Sequence, residues 1–500
     1  MIEAHLPLLI VVIPLLAAPI VAVLPNGRVP WLFSTLIAGS VLFLAVQQLL
    51  HITHLQTAGI NEGIISYALG GWAPPIGIEF RVDSANALVA LIVAGVAAIC
   101  LPYAVTSVAK EIPHKQTSLF YAAFLLCFTG LLGITLTGDI FNLFVFLEIS
   151  SLSSYALISL GKQRQALTAS YQYLIMGTIG ATFFLIGVGL LYSMTGSLNM
   201  MDLSQRLPEI FEHRTIHTAF AFIMIGIALK LAMFPLHLWL PNAYTYAPSV
   251  VTIFLAATAT KVAVYVMVRI IFSVFNLHLI ESTPTNELFL ILGGTGIIAT
   301  SIYAIFQLDA KRLLAYSSVA QIGYMIVGIG FGSVLGLTAT FVHLFNHALM
   351  KAALFMAIGA LVYRIGSSRI EDLSGVGRKM PWTFAAIVIG GLSLIGIPGT
   401  AGFISKWYLV LAAIEQQSWF IVAVILIGSL LAVIYVWKLV EVMYFKSSTT
   451  ETATPIKEAP LTLLIPMWIL VLANIYFGFD TELTVGTAEN AVKILGVTAK

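Results

Sequence analysis

Uninterrupted apolar stretches recur from end to end of this chain, parted by short polar segments. Each is about 20 residues long, enough for an α-helix to cross a hydrocarbon core of roughly 30 Å. A membrane β-barrel would show short alternating segments instead, and these runs are continuous. The pattern predicts about 14 spans, centred near residues 15, 40, 95, 128, 150, 182, 228, 260, 297, 321, 350, 396, 428 and 468. Residues 51–82 form the longest early loop, in which Ile64–Leu69, Gly70-Gly71 and Ile76–Phe80 predict an extramembrane hairpin. Residues 447–460, made of Ser, Thr, Glu and Pro among others, read as a polar linker. The expected fold class is an all-α polytopic membrane protein.

Composition strengthens this picture. The 500 residues are 59% hydrophobic and 9% charged, against about 25% charged in a soluble domain. A net charge of +2 from scattered basic residues gives no nucleic-acid surface. The two cysteines, Cys100 and Cys127, lie in apolar helices and offer neither a disulfide framework nor zinc spacing. The opening Met-Ile-Glu-Ala-His has no basic leader, so the first apolar run is expected to stay as a helix.

Loop charges set an expected orientation. Arg28, Lys110, Lys115, Lys162, Arg164, Lys311, Arg312, Arg364, Arg369, Arg378, Lys379, Lys438, Lys446 and Lys457 fall on one face. Arg81, Arg206, Arg214, Arg269, Lys493 and Lys500 fall on the other. Fourteen against six makes the first face cytoplasmic and puts both termini outside a bacterial inner membrane.

The chain also repeats itself. Leu167–Ser197 over Leu337–Ser367, an offset of 170, gives eight identities in 31 positions, and the same offset sets Asp139 over Asp309. Each unit would hold five helices, and five is odd, so the second copy would enter from the opposite face. The expected division is 1–117 (helices 1–3 and the hairpin), 118–275 (first unit), 276–446 (second, inverted unit) and 447–500 (linker, last span and external tail).

Charges inside spans carry the candidate chemistry, because an ionisable group at bilayer depth is costly and normally faces a protein interior or a wet cavity. Glu148 lies nine residues past Asp139, about 13 Å into its helix. Lys230 precedes Pro235, which cannot donate to the carbonyl of Leu231 and should break the span. Lys406 follows a second interruption at Gly396-Ile-Pro398-Gly399. Lys261 stands 13 residues beyond Pro248, about 20 Å along a helix and too deep to snorkel easily. His343, His347 and Lys351, at i, i+4 and i+8, share one helix face. His-x-x-x-His suits zinc, yet no third ligand is near in sequence; histidine titrates near neutral pH and suits a relay between lysines. A structural hydrogen-bonding role for one of the two histidines is the competing reading. His237 follows the same logic more weakly, and Ser317, Ser318, Tyr316, Gln321 and Thr258 are polar enough to hold water between these groups.

No Walker loop, dinucleotide fingerprint, iron–sulfur cysteines or nucleophile elbow occurs, so a transporter subunit without cofactor is expected rather than an enzyme. Asp139–Tyr155, Phe234-Pro-Leu-His-Leu-Trp-Leu-Pro241 after Lys230, Leu344–Lys351 and Gly396–Lys406 together resemble the antiporter-like subunits. These occur in Mrp-type multisubunit Na⁺/H⁺ antiporters, respiratory NADH–quinone oxidoreductase and membrane-bound hydrogenases. Gly138-Asp-Ile-Phe-Asn-Leu143 and the length bring the chain nearest the D branch of the Mrp type. The middle quinone-reductase homologue usually has a glutamate at the place of Lys406. The family often has an aspartate where Asn242 stands, which leaves that position's role open.

The resemblance implies that Glu148 pairs with Lys230, that Lys261 links the halves, and that Lys406 ends the second unit. It also implies partners of the Mrp A, B, C, E, F and G type. The expected mechanism is a proton relay along Glu148, Lys230, Lys261, His343, His347, Lys351 and Lys406. A dehydrated Na⁺ wants several oxygens, and Glu148 is the only acid deep in a span, so Na⁺ is expected to cross elsewhere in the assembly or at a subunit interface. The alternative reading is a redox-driven proton-pumping subunit of a quinone reductase or hydrogenase. A passive scaffold fits poorly, because unpaired buried charge stabilises nothing.

Overall fold

The computed structural model describes residues 3–276, 283–447 and 456–497. Among these, thirteen helices are long and apolar enough to cross a membrane. They begin with α1 (Leu6–Val23), α2 (Arg28–Thr57), α3 (Ser84–Glu111), α4 (Thr117–Leu136), α5 (Ile140–Ser159) and α6 (Gln165–Thr195). A short α7 (Met200–Arg206) leads to α8 (Arg214–Leu231), α9 (Trp239–Tyr246), α10 (Ser249–Ala257) and α11 (Ala259–Val268). Then come α12 (Thr285–Ile305), α13 (Ala310–Gly330), α14 (Val334–Ile365), α15 (Pro381–Ile395) and α16 (Ala401–Glu415). The chain closes with α17 (Trp419–Val440), α18 (Leu461–Phe479) and α19 (Thr487–Ile494). The polytopic all-α expectation holds, and every expected centre but two, those near 260 and 396, falls in a single long helix. The span centred near 396 is two half-helices, α15 and α16, separated at Gly396–Thr400.

Both breaks fall where the prolines place them. Pro235 sits between α8 and α9, and Pro398 between α15 and α16. A third discontinuity carries no proline or glycine: α10 and α11 part at Thr258, whose backbone turns to φ −123°, ψ −57°. The expected hairpin forms as strand β1 (Ile65–Ala68) antiparallel to β2 (Glu79–Val82), with Ile65 opposite Val82. The second strand begins later than expected, and the connection holds Pro74-Pro75, which have no N–H for a ladder.

Burial sorts the helices. The most apolar window is 28% buried in α2, 94% in Ser249–Phe275 and 100% in α13, so the last two form the centre and α2 faces outward. Small residues let central helices touch. A Cβ on Gly323 of α13 would stand 2.7 Å from the Gly293 carbonyl oxygen of α12, and one on Gly226 of α8 2.6 Å from that of Gly180 in α6.

The repeat has a backbone signature. Ile140 N–H donates to Leu198 O and Met200 N–H to Gly138 O, both at 2.9 Å. At the offset of 170, Ala310 N–H donates to Ser368 O at 2.8 Å and Ile370 N–H to Leu308 O at 2.9 Å. Asp139 and Asp309 cap the following helices alike, accepting from Asn142 N at 2.7 Å and Arg312 N at 3.0 Å.

Two residues counted among the loop cations are buried. Arg269 lies in the last two turns of the Ser249–Phe275 span and binds Asp83 at 2.8 Å, with Tyr265 O–H beside its Nε. Lys311, in the first turn of α13, is 6% exposed. Of the linker 447–460, residues 448–455 lie outside the described residues, as does Lys500.

Gly323→Val drives a branched side chain into the Gly293 carbonyl and should cost about 1–3 kcal/mol. The expected result is a clearly lower melting temperature of the detergent-solubilised protein; an unchanged one contradicts the close α12–α13 approach.

Candidate functional site: a buried line of lysines and histidines

The line starts between α5 and α8. Lys230 occupies the last turn of α8, just before the break, and its Nζ lies 3.4 Å from Glu148 Oε1. It also donates to Ser151 Oγ at 2.5 Å. The two side chains are 7% and 25% exposed, so the lysine is the more deeply held partner. Trp239 Nε1–H donates across the break to Leu229 O at 2.9 Å, tying α9 back to α8.

Lys261 is fully buried just beyond the Thr258 kink. Its Nζ donates to Ala256 O, in the last turn of α10, and lies 3.4 Å from Thr260 Oγ1. A discontinuous helix leaves carbonyls without their usual N–H partners, and its C-terminal end carries partial negative charge. An ammonium placed there answers both.

Lys406 repeats the arrangement. Its Nζ donates to Leu394 O at 3.0 Å and Ile395 O at 2.8 Å, the last carbonyls of α15, and to Ser429 Oγ at 3.1 Å. The ammonium also sits 4.8 Å from the centre of the Tyr324 ring, within cation–π range.

Helix α14 joins these ends. The parallel rings of His343 and His347 lie 5.8 Å apart, and Tyr324 is 5.9 Å from His343. His343 Nδ1 shares a 2.7 Å hydrogen bond with Ser405 Oγ, beside Lys406 in sequence. His343 Nε2 and both ring nitrogens of His347 are buried without a partner among the described residues. His347 lies within electrostatic reach of Lys261 and Lys351. Lys351, fully buried, donates to Leu314 O at 2.9 Å and to Ser317 Oγ.

The structure therefore gathers the expected residues into three neighbourhoods. Glu148 and Lys230 form one; Lys261, His347, Lys351 and Ser317 form a second; His343 and Lys406 form a third, next to the second along α14. His237 stands apart in the first break, its ring 5.3 Å from Phe234 and 6.2 Å from Tyr316. Ser318 donates to Leu314 O at 3.0 Å. Asn242, where the family often has an aspartate, donates to Gln172 Oε1 at 2.8 Å. Among the described residues no three His, Cys, Asp or Glu side chains gather, so His343 and His347 have no third ligand for a transition metal.

Sequence reasoning missed Ser151, Ser405, Ser429 and Tyr324. Ser151 follows Glu148 by one turn and Ser405 precedes Lys406, so spacing could have found those two. Nothing local points from Ser429 or Tyr324 to Lys406.

Residues 137–432, which hold the whole line, match the family described as "NADH:quinone oxidoreductase/Mrp antiporter, TM". The chain belongs to that family. It is 41% identical over 493 residues to the N subunit of NADH-quinone oxidoreductase of Desulforudis audaxviator, covering 96% of both chains. It is 32% identical over 441 residues to the D subunit of the Na⁺/H⁺ antiporter of Alkalihalophilus pseudofirmus, covering 88% of both. Among solved structures, a chain of the membrane-bound sulfane sulfur reductase, an archaeal respiratory membrane complex, superposes with TM-score 0.89 at 30% identity, covering 98% of both chains. A chain of the Mrp complex from Dietzia sp. superposes with TM-score 0.85 at 25% identity, covering 98% of this chain and 97% of that one. As a member of this antiporter-like family, the chain is of a multi-pass type shared by Mrp antiporters and respiratory complexes.

Ser405→Ala leaves His343 Nδ1 buried without its partner. An unpaired buried polar atom costs about 1–3 kcal/mol, so the variant should melt measurably lower than the parent protein. Equal melting would mean that this hydrogen bond does not hold the ring.

Proposed function

We propose that this chain is the proton-translocating subunit of a multisubunit cation/proton antiporter of the Mrp type. Protons would move along Glu148, Lys230, Lys261, His343, His347, Lys351 and Lys406 through water. The observation that carries the reading is the Glu148–Lys230 pair, an acid–base contact at one end of a line of amines and imidazoles. An opposite charge beside a buried ammonium favours its charged form. Opening the pair lowers the affinity of Lys230 for its proton, and closing it restores that affinity. The pair is thus a switch that loads and unloads the line.

Several further parts belong to this proposal. The two five-helix units, 118–275 and 276–446, are inverted copies, and the paired backbone hydrogen bonds at the offset of 170 support them. The face with more basic loops is cytoplasmic, in a bacterial inner membrane, with both termini outside. The partners are subunits of the Mrp A, B, C, E, F and G type. Na⁺ crosses elsewhere in that assembly, because Glu148 is flanked by a lysine rather than by further oxygen ligands.

The 41% identity to the N subunit of a quinone oxidoreductase supports a second reading, in which redox chemistry in partner subunits drives the same line. Everted vesicles carrying the complete complex separate the two. An antiporter exchanges Na⁺ for H⁺ when a pH gradient is imposed without an electron donor, whereas a redox-driven pump acidifies the lumen only on adding one.

Under either driver, Glu148→Ala and Lys230→Ala should abolish proton movement while the complex still assembles. Ordinary transport in both variants refutes the relay.

A further inference from the structure

Away from the buried line, a cavity of about 890 Å³ opens among helix ends on the face with more basic loops. It lies between the starts of α2, α4 and α18 and the ends of α3 and α14. Helix α2 is the least buried of the spans, with 28% of its most apolar window inside the protein, so the cavity is bordered by the outermost helix. Much of its wall is apolar, built by Val105, Val108 and Ile112 together with the rings of Trp31 and Tyr363. Trp31 is fixed there by donating from Nε1–H to Leu101 O at 2.8 Å. Indole and phenol rings at helix ends are the usual furniture of the membrane–water interface. The Thr106 and Thr462 hydroxyls, 2.6 Å apart, tie α3 to α18 at the same level.

The charge at this cavity is of one sign. Arg28, Lys110 and His114 line it, and no aspartate or glutamate does. Glu111, next to Lys110 in sequence, directs its oxygens elsewhere: Oε2 accepts from Ser249 N at 2.8 Å and Oε1 from Ser107 Oγ at 2.7 Å. Lys110 is held instead by the end of α14, donating from Nζ to Tyr363 O and standing 4.5 Å from the centre of the Tyr363 ring. Arg28 and Lys110 are both exposed, and among the described residues neither makes an ion pair. Basic groups without counter-ions thus stand over an apolar wall at the level where lipid headgroups lie.

We propose that this cavity binds an anionic phospholipid from the leaflet on that face. Its phosphate is held by Arg28 and Lys110, with His114 as a further donor, and the upper part of its acyl chains lies against Trp31, Val105 and Ile112. Arg28 supplies the planar fork that matches two phosphate oxygens, and Lys110 acts as a point charge. A basic pocket between helix ends is the arrangement that selects acidic headgroups. The apolar wall argues for a lipid over a soluble anion, which gains nothing from it. A zwitterionic lipid brings a cation of its own next to these bases and is disfavoured. The site is independent of the relay, and it stands whichever partner drives the chain.

The test uses the purified intact complex in detergent. Val29→Cys, exposed beside Arg28 and outside the cavity lining, carries a fluorescent label, and the chain's own Cys100 and Cys127 are buried. Phosphatidylglycerol with a nitroxide high on one acyl chain is titrated in, and quenching is read. Half-quenching should need about tenfold less of it than of phosphatidylcholine bearing the same nitroxide, the scale set by two basic side chains near a phosphate. Arg28→Gln combined with Lys110→Gln should bring that preference to within about twofold. Lys162→Gln, which removes a base from the neighbouring cavity of about 840 Å³, should leave it intact. Raising KCl to about 1 M should also remove the preference. Equal quenching by the two lipids overturns the proposal, and so does quenching by neither, which means that protein fills the groove. An undiminished preference in the double variant overturns it as well. Phosphatidylglycerol without nitroxide should restore the fluorescence where inorganic phosphate at the same concentration does not; equal displacement by phosphate makes this a site for soluble anions and overturns the lipid assignment. If the double variant does not assemble, the salt and displacement results decide.

Discussion

A carbonyl set free by a broken helix must find its donor inside the protein, because hydrocarbon has none to offer. This chain meets that demand with lysine. Lys406 takes the last two carbonyls of α15, and Lys261 takes one from the last turn of α10 beside the Thr258 kink. Lys230 closes α8 just before its break. The breaks stabilise the ammonium groups, and the ammonium groups make the breaks tolerable. Removing either half leaves buried polarity unmatched, which is why interruption and charge meet at α10–α11 and α15–α16; at α8–α9 the Leu229 carbonyl takes the Trp239 Nε1–H instead, and Lys230 turns to Glu148 and Ser151.

The same coupling sets how these amines are held. Carbonyl oxygens and serine hydroxyls hold an ammonium without neutralising it, so most of these amines have no counter-ion to fix their protonation. Glu148 is the exception, and it sits at one end of the line beside Lys230. Lys351 and Lys406 lie against α13, whose most apolar stretch is wholly buried, and His343, His347 and Lys351 lie on α14. At the level of the whole chain the fold is shared with a chain of an Mrp complex and with a chain of a respiratory complex.

Much of this was legible in the sequence because the signals were violations. A lysine in an apolar run, or a proline in mid-span, breaks a strong local rule, and Glu148, Lys230, Lys261, Lys351, Lys406, Pro235 and Pro398 all stood out that way. The Thr258 kink did not, since no proline or glycine marks it. Lys311 and Arg269 were misread as loop cations because they lie at the ends of their spans, where sequence cannot separate an exposed charge from one folded inward. Tyr324 and Ser429 reach Lys406 from other helices, and only tertiary structure brings them there. The hairpin was foreseen, with its second strand set too early.

The central claim concerns water-linked contact between these side chains, and an experimental map of the assembled complex that resolves ordered water tests it most directly. The account predicts water bridging the spaces from Lys230 to Lys261, and from His347 and His343 to Lys406. Tightly packed aliphatic side chains filling those spaces, with no water and no alternative conformer that opens them, would contradict it.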